Sequence, residues 1–103
     1  MKRARKKLTT KGILLTEDDL KKSTEKLVNW KVEEGKLQRQ YSFRSFPEAF
    51  AFLAGAALIS ESMKHSIEWY NLDGFVSVKL QTAALGGIST IDVLMAQKLD
   101  ELR

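Results

Sequence analysis

Two pairs of short strand-forming runs, each closed by its own turn, constrain this chain more than any other feature. Leu37, Arg39, Tyr41 and Phe43 alternate with Gln38, Gln40 and Ser42, and a short run over residues 30–32 precedes them across Glu34, Gly35 and Lys36. Alternation at period two sends every second side chain to the same side, so this stretch reads as a hairpin with one apolar and one polar face. Further on, Glu68–Leu72 and residues 75–82 flank Asp73 and Gly74, a dipeptide suited to a two-residue hairpin turn. In the later strand Val76, Val78 and Leu80 face one way, and Ser77, Lys79 and Gln81 the other.

Three helical segments frame these hairpins. Thr16, with Asp19 three residues on, approximates a capping box, and Leu20, Thr24, Leu27 and Val28 recur at helical spacing, predicting a helix over residues 17–29. Ser45 can cap a second helix whose first turn holds Pro47, where a missing amide costs nothing, and which should run to about Lys64. Its apolar residues are Phe46, Ala49, Phe50, Leu53, Ala54, Ala57 and Leu58, widened by Phe52, Ala56 and Ile59. A helix apolar on more than one side needs more than one surface to cover it, either the sheet alone or the sheet and another subunit. A third helix should begin near Thr90 with Ile91, Leu94, Met95, Leu99 and Leu102 buried. The order helix, strand, strand, helix, strand, strand, helix implies an α+β fold, a four-stranded antiparallel sheet covered on one face by three helices.

Charge and composition narrow the function classes. Residues 1–11 hold Lys2, Arg3, Arg5, Lys6, Lys7 and Lys11 and no acid, leaving 11 basic and 13 acidic residues in the rest, a net of −2 there. We therefore read residues 1–15 as a basic tail and lead-in, and 16–103 as the folded domain. The tail has no aromatic for base stacking and no helical periodicity, so nucleic acid is not the expected partner. There is no cysteine and a single histidine, which excludes disulfides, thiolate nucleophiles and cysteine zinc sites; no metal is expected. The apolar stretch over residues 50–59 is far too short for a membrane span, and the amino terminus lacks the apolar core of a secretory signal. A cytoplasmic location is the expectation. Only one core fits in 103 residues, and at that size oligomerisation would add stability.

The segment 61–92 carries the remaining information. It runs Glu61, Ser62, Met63, Lys64, His65, Ser66, Ile67, Glu68, Trp69, Tyr70, Asn71, passes through the alternating strand to Thr82 and Ala83, and ends with Gly86, Gly87, Ile88, Ser89 and Asp92. It resembles the pterin-4a-carbinolamine dehydratase family, whose signature reads His-His-Pro-Glu-Trp, a strand ending Thr-His, a Gly-Leu-Thr turn and an Asp. Upstream, Trp30, Leu37, Arg39, Tyr41, Phe43, Phe46, Ala49 and Phe52 are similar to the family's aromatic and alternating run. His65 matches the first family histidine. Ser66 stands at the second, Ile67 at the proline and Ala83 at the third histidine.

By this resemblance His65, Ser66, Glu68, Trp69, Ala83 and Asp92 outline a vestigial pterin pocket. Dehydrating a 4a-hydroxytetrahydropterin takes a proton from a ring nitrogen and expels hydroxide from the neighbouring carbon, work suited to imidazoles near neutral pH. Each such group contributes roughly 10²- to 10⁴-fold, so a serine and an alanine in place of two of them forfeit most of the acceleration, and no catalytic residue is assigned. Asp92 has an ordinary use as a helix cap, and His65 as a cation favoured at a helix carboxyl end. Glu61 and Glu68 read as solvated rather than as an acid-base pair, and Gly86-Gly87 lacks the lysine of a phosphate loop. The degraded histidines are similar to those of the family's dehydratase-like Rubisco assembly factors, including those of bacteria with α-carboxysomes. That resemblance implies a homodimeric chaperone acting on Rubisco subunits, without cofactor and associated with carboxysomes. A weak or altered dehydratase and a dimerisation cofactor of a transcription regulator are the alternatives.

Overall fold

The computed structural model describes residues 12–103, so the basic stretch 1–11 lies outside the described residues. Helix α1 spans Glu17–Lys26, strands β1 and β2 span Lys31–Glu33 and Lys36–Ser42, and helix α2 spans Phe46–Met63. Strands β3 and β4 span Glu68–Leu72 and Phe75–Leu80, a turn of 3₁₀ helix covers Ala83–Leu85, and α3 spans Thr90–Glu101. Each hairpin pairs antiparallel, and β2 pairs antiparallel with β4, which sets the sheet order β1-β2-β4-β3. The expected α+β architecture is the one found.

Capping residues fix where the helices start. Thr16 Oγ1 accepts from the Asp19 amide at 3.1 Å, and Ser45 Oγ accepts from the Glu48 amide at 3.4 Å, with Pro47 in the first turn of α2. Each side chain satisfies an amide that has no partner inside its helix. Glu48 also grips Arg44 through two bonds of 3.1 and 2.6 Å.

The core lies between the helices and one face of the sheet. Leu37, Tyr41, Val76, Val78 and Leu80 supply the sheet side; Ala49, Phe52, Leu53 and Ala56 of α2 and Met95, Ala96 and Leu99 of α3 cover it. Fully burying one large apolar side chain is worth about 1.5–3 kcal/mol, against about 0–1 for an exposed ion pair such as Arg44–Glu48. Packing therefore decides the register. Gly55 lets α3 close in, because a Cβ there would come within 3.0 Å of Leu102.

Several boundaries and faces differ from those read in the sequence. Helix α1 stops at Lys26 rather than at residue 29: the Leu27 amide returns to the Ser23 carbonyl, and the chain turns so that Leu27 and Trp30 are buried while Val28 is exposed. Strand β1 shifts by one residue because Trp30 belongs to that turn. Strand β4 ends at Leu80 rather than Thr82, which pairs with Gly87 in an isolated bridge. In α3 the buried stripe is Asp92, Met95, Ala96 and Leu99, and Leu94 and Leu102 are exposed. In α2, Phe46, Phe50 and Leu58 are exposed, so the covered stripe is only one flank of the expected apolar face. A sheet of four strands reaches one side of a helix, not its circumference.

Candidate functional site

At the end of the sheet where β3 begins and β4 finishes, a cavity of about 340 Å³ is lined by residues 64–68, by Lys79, and by residues 81–84. His65 enters it from the carboxyl end of α2. Lys64 takes a left-handed backbone conformation, φ 52°, that ends the helix. The His65 amide then donates to the Ser60 carbonyl at 3.1 Å, and Ser60 Oγ donates back to the His65 carbonyl at 2.6 Å. Two bonds between one pair of residues hold the histidine backbone to the last turn of the helix.

Behind the imidazole lies a carboxylate wholly removed from solvent. Asp92 sits in the first turn of α3, 2.6 Å from His65 Nε2 through Oδ1. Its Oδ2 accepts from the Ser89 amide at 2.9 Å and from Thr82 Oγ1 at 2.8 Å. The first of these bonds completes a capping box with Ser89, whose hydroxyl accepts from the Ile91 amide at 3.1 Å. A buried carboxylate left without donors would be expensive, and this one has three. The expected use of Asp92 as a helix cap and its contact with His65 are thus two halves of one arrangement.

The six residues outlined as the pocket divide into three groups. His65, Ser66, Glu68 and Ala83 all line the cavity; Asp92 stands behind the imidazole. Trp69 is brought to the opposite face of the sheet, because neighbouring strand residues point to opposite sides. There it lines a separate apolar groove of about 510 Å³ with Phe46, Phe50, Leu53, Ala54, Ala57 and Asn71. Glu68 is engaged by Lys36 Nζ at 2.9 Å, which holds its carboxyl below the usual range for glutamate. Thr82, Ser89 and Ser60 were not singled out from the sequence as members of the site. For Ser89 and Asp92 a signal existed, the Ser-x-x-Asp spacing ahead of a helix; for Thr82 the signal was its place at the threonine of the Thr-His motif that ends the strand.

What the cavity presents is one imidazole, one exposed hydroxyl at Ser66, a methyl at Ala83, the ammonium groups of Lys64 and Lys79, the Glu68 carboxylate and the Gln81 amide. Among the described residues no three His, Asp or Glu side chains converge as a metal site would require. Nor is any helix among them long and apolar enough to cross a membrane.

Together the fold and cavity define a class: a single-sheet α+β domain that carries an imidazole–carboxylate pair at the end of its sheet. Residues 13–102 match the family model described as pterin 4 alpha carbinolamine dehydratase, and the chain belongs to that family. A relative from Synechococcus sp. (strain WH7803), named "Putative pterin-4-alpha-carbinolamine dehydratase", is 40% identical over 89 residues, covering 86% of this chain and 96% of its own. One of the same name from Solibacter usitatus (strain Ellin6076) is 39% identical over 95 residues, 92% of this chain and 97% of its own. Among solved structures, the transcriptional coactivator/pterin dehydratase from Brucella melitensis superposes with a TM-score of 0.82 at 33% identity, covering 85% of this chain and 96% of that one.

Proposed function

We propose that this chain is a non-catalytic member of its family whose work is protein binding, as an assembly chaperone for Rubisco subunits of the kind associated with α-carboxysomes. One observation carries the loss of catalysis: Ser66 and Ala83 line the same cavity as His65, so the positions that would hold two further imidazoles carry a hydroxyl and a methyl. Neither can exchange a proton usefully near neutral pH. The exposed groove of Phe46, Phe50 and Trp69 supports a protein partner, since contiguous apolar surface outside a core commonly marks an interaction site. The choice of Rubisco rests on the degraded-histidine pattern, and a homodimer located in the cytoplasm at carboxysomes belongs to the same reading.

The test is the absorbance-monitored dehydration of 4a-hydroxytetrahydropterin by the unmodified chain, by a Ser66→His/Ala83→His variant and by buffer. The expected result is the buffer rate for the unmodified chain, with acceleration by the variant, and higher yield of Rubisco holoenzyme when the unmodified chain is added to its subunits. Catalysis by the unmodified chain would overturn the reading.

A second reading has its own support. His65 and Asp92 form an intact, fully bonded pair, which is the machinery of a single acid-base group. On that reading the chain is a weak or altered dehydratase, and His65→Ala removes whatever rate is measured.

A further inference from the structure

Positive charge is in excess at the cavity, and the excess belongs to two lysines. Asp92 is engaged by His65, and the Glu68 carboxylate accepts from Lys36 Nζ at 2.9 Å. Lys64 and Lys79 both line the cavity, and among the described residues neither forms an ion pair. Lys79 stands directly across the β3–β4 ladder from Glu68, so that carboxylate lies between Lys36 and Lys79 and neutralises only one of them. Lys64 arrives from a different element, the left-handed residue that ends α2. There it also offsets the negative end of a helix with no basic residue in its last turn. Lys79, on a strand, has no such use.

We propose that the cavity binds the phosphate group of a small phosphomonoester between Lys64 and Lys79. A lysine ammonium is a compact point charge with three rotatable donors, suited to a tetrahedral dianion. Planar carboxylates are matched better by the arginine fork, and among the described residues no arginine lines the cavity. A phosphate ester carries a charge of about −1.5 to −2 near pH 7, which two ammonium groups can balance. The Ser66 hydroxyl and the Gln81 amide add neutral donors, and the small side chains at Ser66 and Ala83 leave about 340 Å³ open, a size suited to a small molecule. Glu68 faces the same space, and its bond to Lys36 keeps its charge balanced beside an anion. This assigns the cavity a ligand and requires neither catalysis nor a Rubisco partner.

The test is an NMR titration of the ¹⁵N-labelled full-length chain with glycerol 3-phosphate, and separately with acetate, at constant ionic strength. Glycerol 3-phosphate should give saturable amide shifts at residues 64–66 and 79–83, and acetate should bind about tenfold more weakly or less, having one charge where phosphate has two. Lys79→Met should weaken phosphate binding about ten- to a hundredfold, the loss of one charged hydrogen bond. Lys64→Asn should do the same, with an asparagine that tolerates the left-handed backbone. The same spectra show whether each variant is folded, and either folded variant suffices for the comparison. Binding that keeps its full strength without one of these lysines overturns the proposal, as does equal affinity for acetate. So do an absence of saturable shifts and shifts confined to the basic stretch 1–11, the mark of diffuse attraction to the tail. The dehydration and assembly assays read other events, so failure there leaves this result standing.

Discussion

Asp100 shows how much one side chain on α3 can hold in place. It accepts from Trp30 Nε1 at 3.1 and 3.0 Å, from Arg39 at 2.7 Å and from the Tyr41 hydroxyl at 2.6 Å. Arg39 also lies over the Tyr41 ring, 4.2 Å from its centroid. Burial first, then the hydrogen bond and charge of Asp100, push the Tyr41 phenol well above its ordinary value despite the opposing charges of Arg39 and Arg103, so it remains a donor. Asp100→Ala would orphan an indole N–H, a buried phenol and a guanidinium that already has an unpartnered Nε. We expect a loss of about 2–4 kcal/mol, between an unsatisfied buried group and a broken buried ion pair; urea unfolding followed by tryptophan fluorescence would measure it. Glu68 gives a smaller, pH-dependent effect. Its pKa is lowered chiefly by the Lys36 hydrogen bond, so its contribution is present above the unfolded carboxylate range and lost as pH falls through the folded value. In Lys36→Met the titration of Glu68, read from its carboxyl carbon by NMR, should move upward; an unchanged midpoint would refute the assignment.

At the level of elements, the two hairpins are held together by a turn as well as by their ladder. The Phe43 amide donates to the Gly74 carbonyl at 2.8 Å, so the tip of the β3–β4 hairpin docks on the end of β2. Asn71 Nδ2 closes the turn by donating to the Asp73 and Phe75 carbonyls at 3.0 and 2.9 Å. A Cβ on Gly74 would sit 2.4 Å from the Phe43 carbonyl oxygen, and its φ is not in the left-handed region, so the glycine is required by close approach alone. Gly74→Ala should cost about 1–3 kcal/mol, the usual penalty for forced overpacking, and should speed amide exchange at Phe43. If exchange there is unchanged, the docking is not what the glycine protects. The lead-in segment is tied similarly: the Leu15 amide donates to the Ile88 carbonyl, and the Thr90 amide to the Ile13 carbonyl, at 3.0 and 2.9 Å. These bonds join it to the segment that leads into α3.

For the whole molecule, the two sheet edges differ in kind. Strand β1 is three residues long with Lys31 and Glu33 on it, features that discourage pairing with another chain. Strand β3 is longer, with Trp69 against the apolar groove and Tyr70 and Leu72 exposed on the other face of the sheet. Association through this edge is the expected outcome: sedimentation should give a dimer, and Leu72→Lys with Tyr70→Lys should give a monomer of unchanged secondary structure. A wild-type monomer across the accessible concentration range would remove the homodimer from the proposed function.

The sequence alone determined the order of elements, the hairpin turns, the caps at Thr16 and Ser45, and the family. These depend on periodicities and spacings within a few residues, where backbone geometry leaves little choice. The resemblance also implied that Ser66 and Ala83 stand where the family signature has imidazoles, since that needs only the motif. The sequence did not show that Trp69 leaves the cavity, that only one flank of α2 is covered, or that Asp92 displaces Leu94 from the buried stripe of α3. Nor did it show that Asp100 gathers Trp30, Arg39 and Tyr41 from 59 to 70 residues away, or that Thr82 joins His65 and Asp92. Such contacts form only when distant elements close on one another, and which face each element then presents is decided by the packing of the whole core rather than by any local pattern.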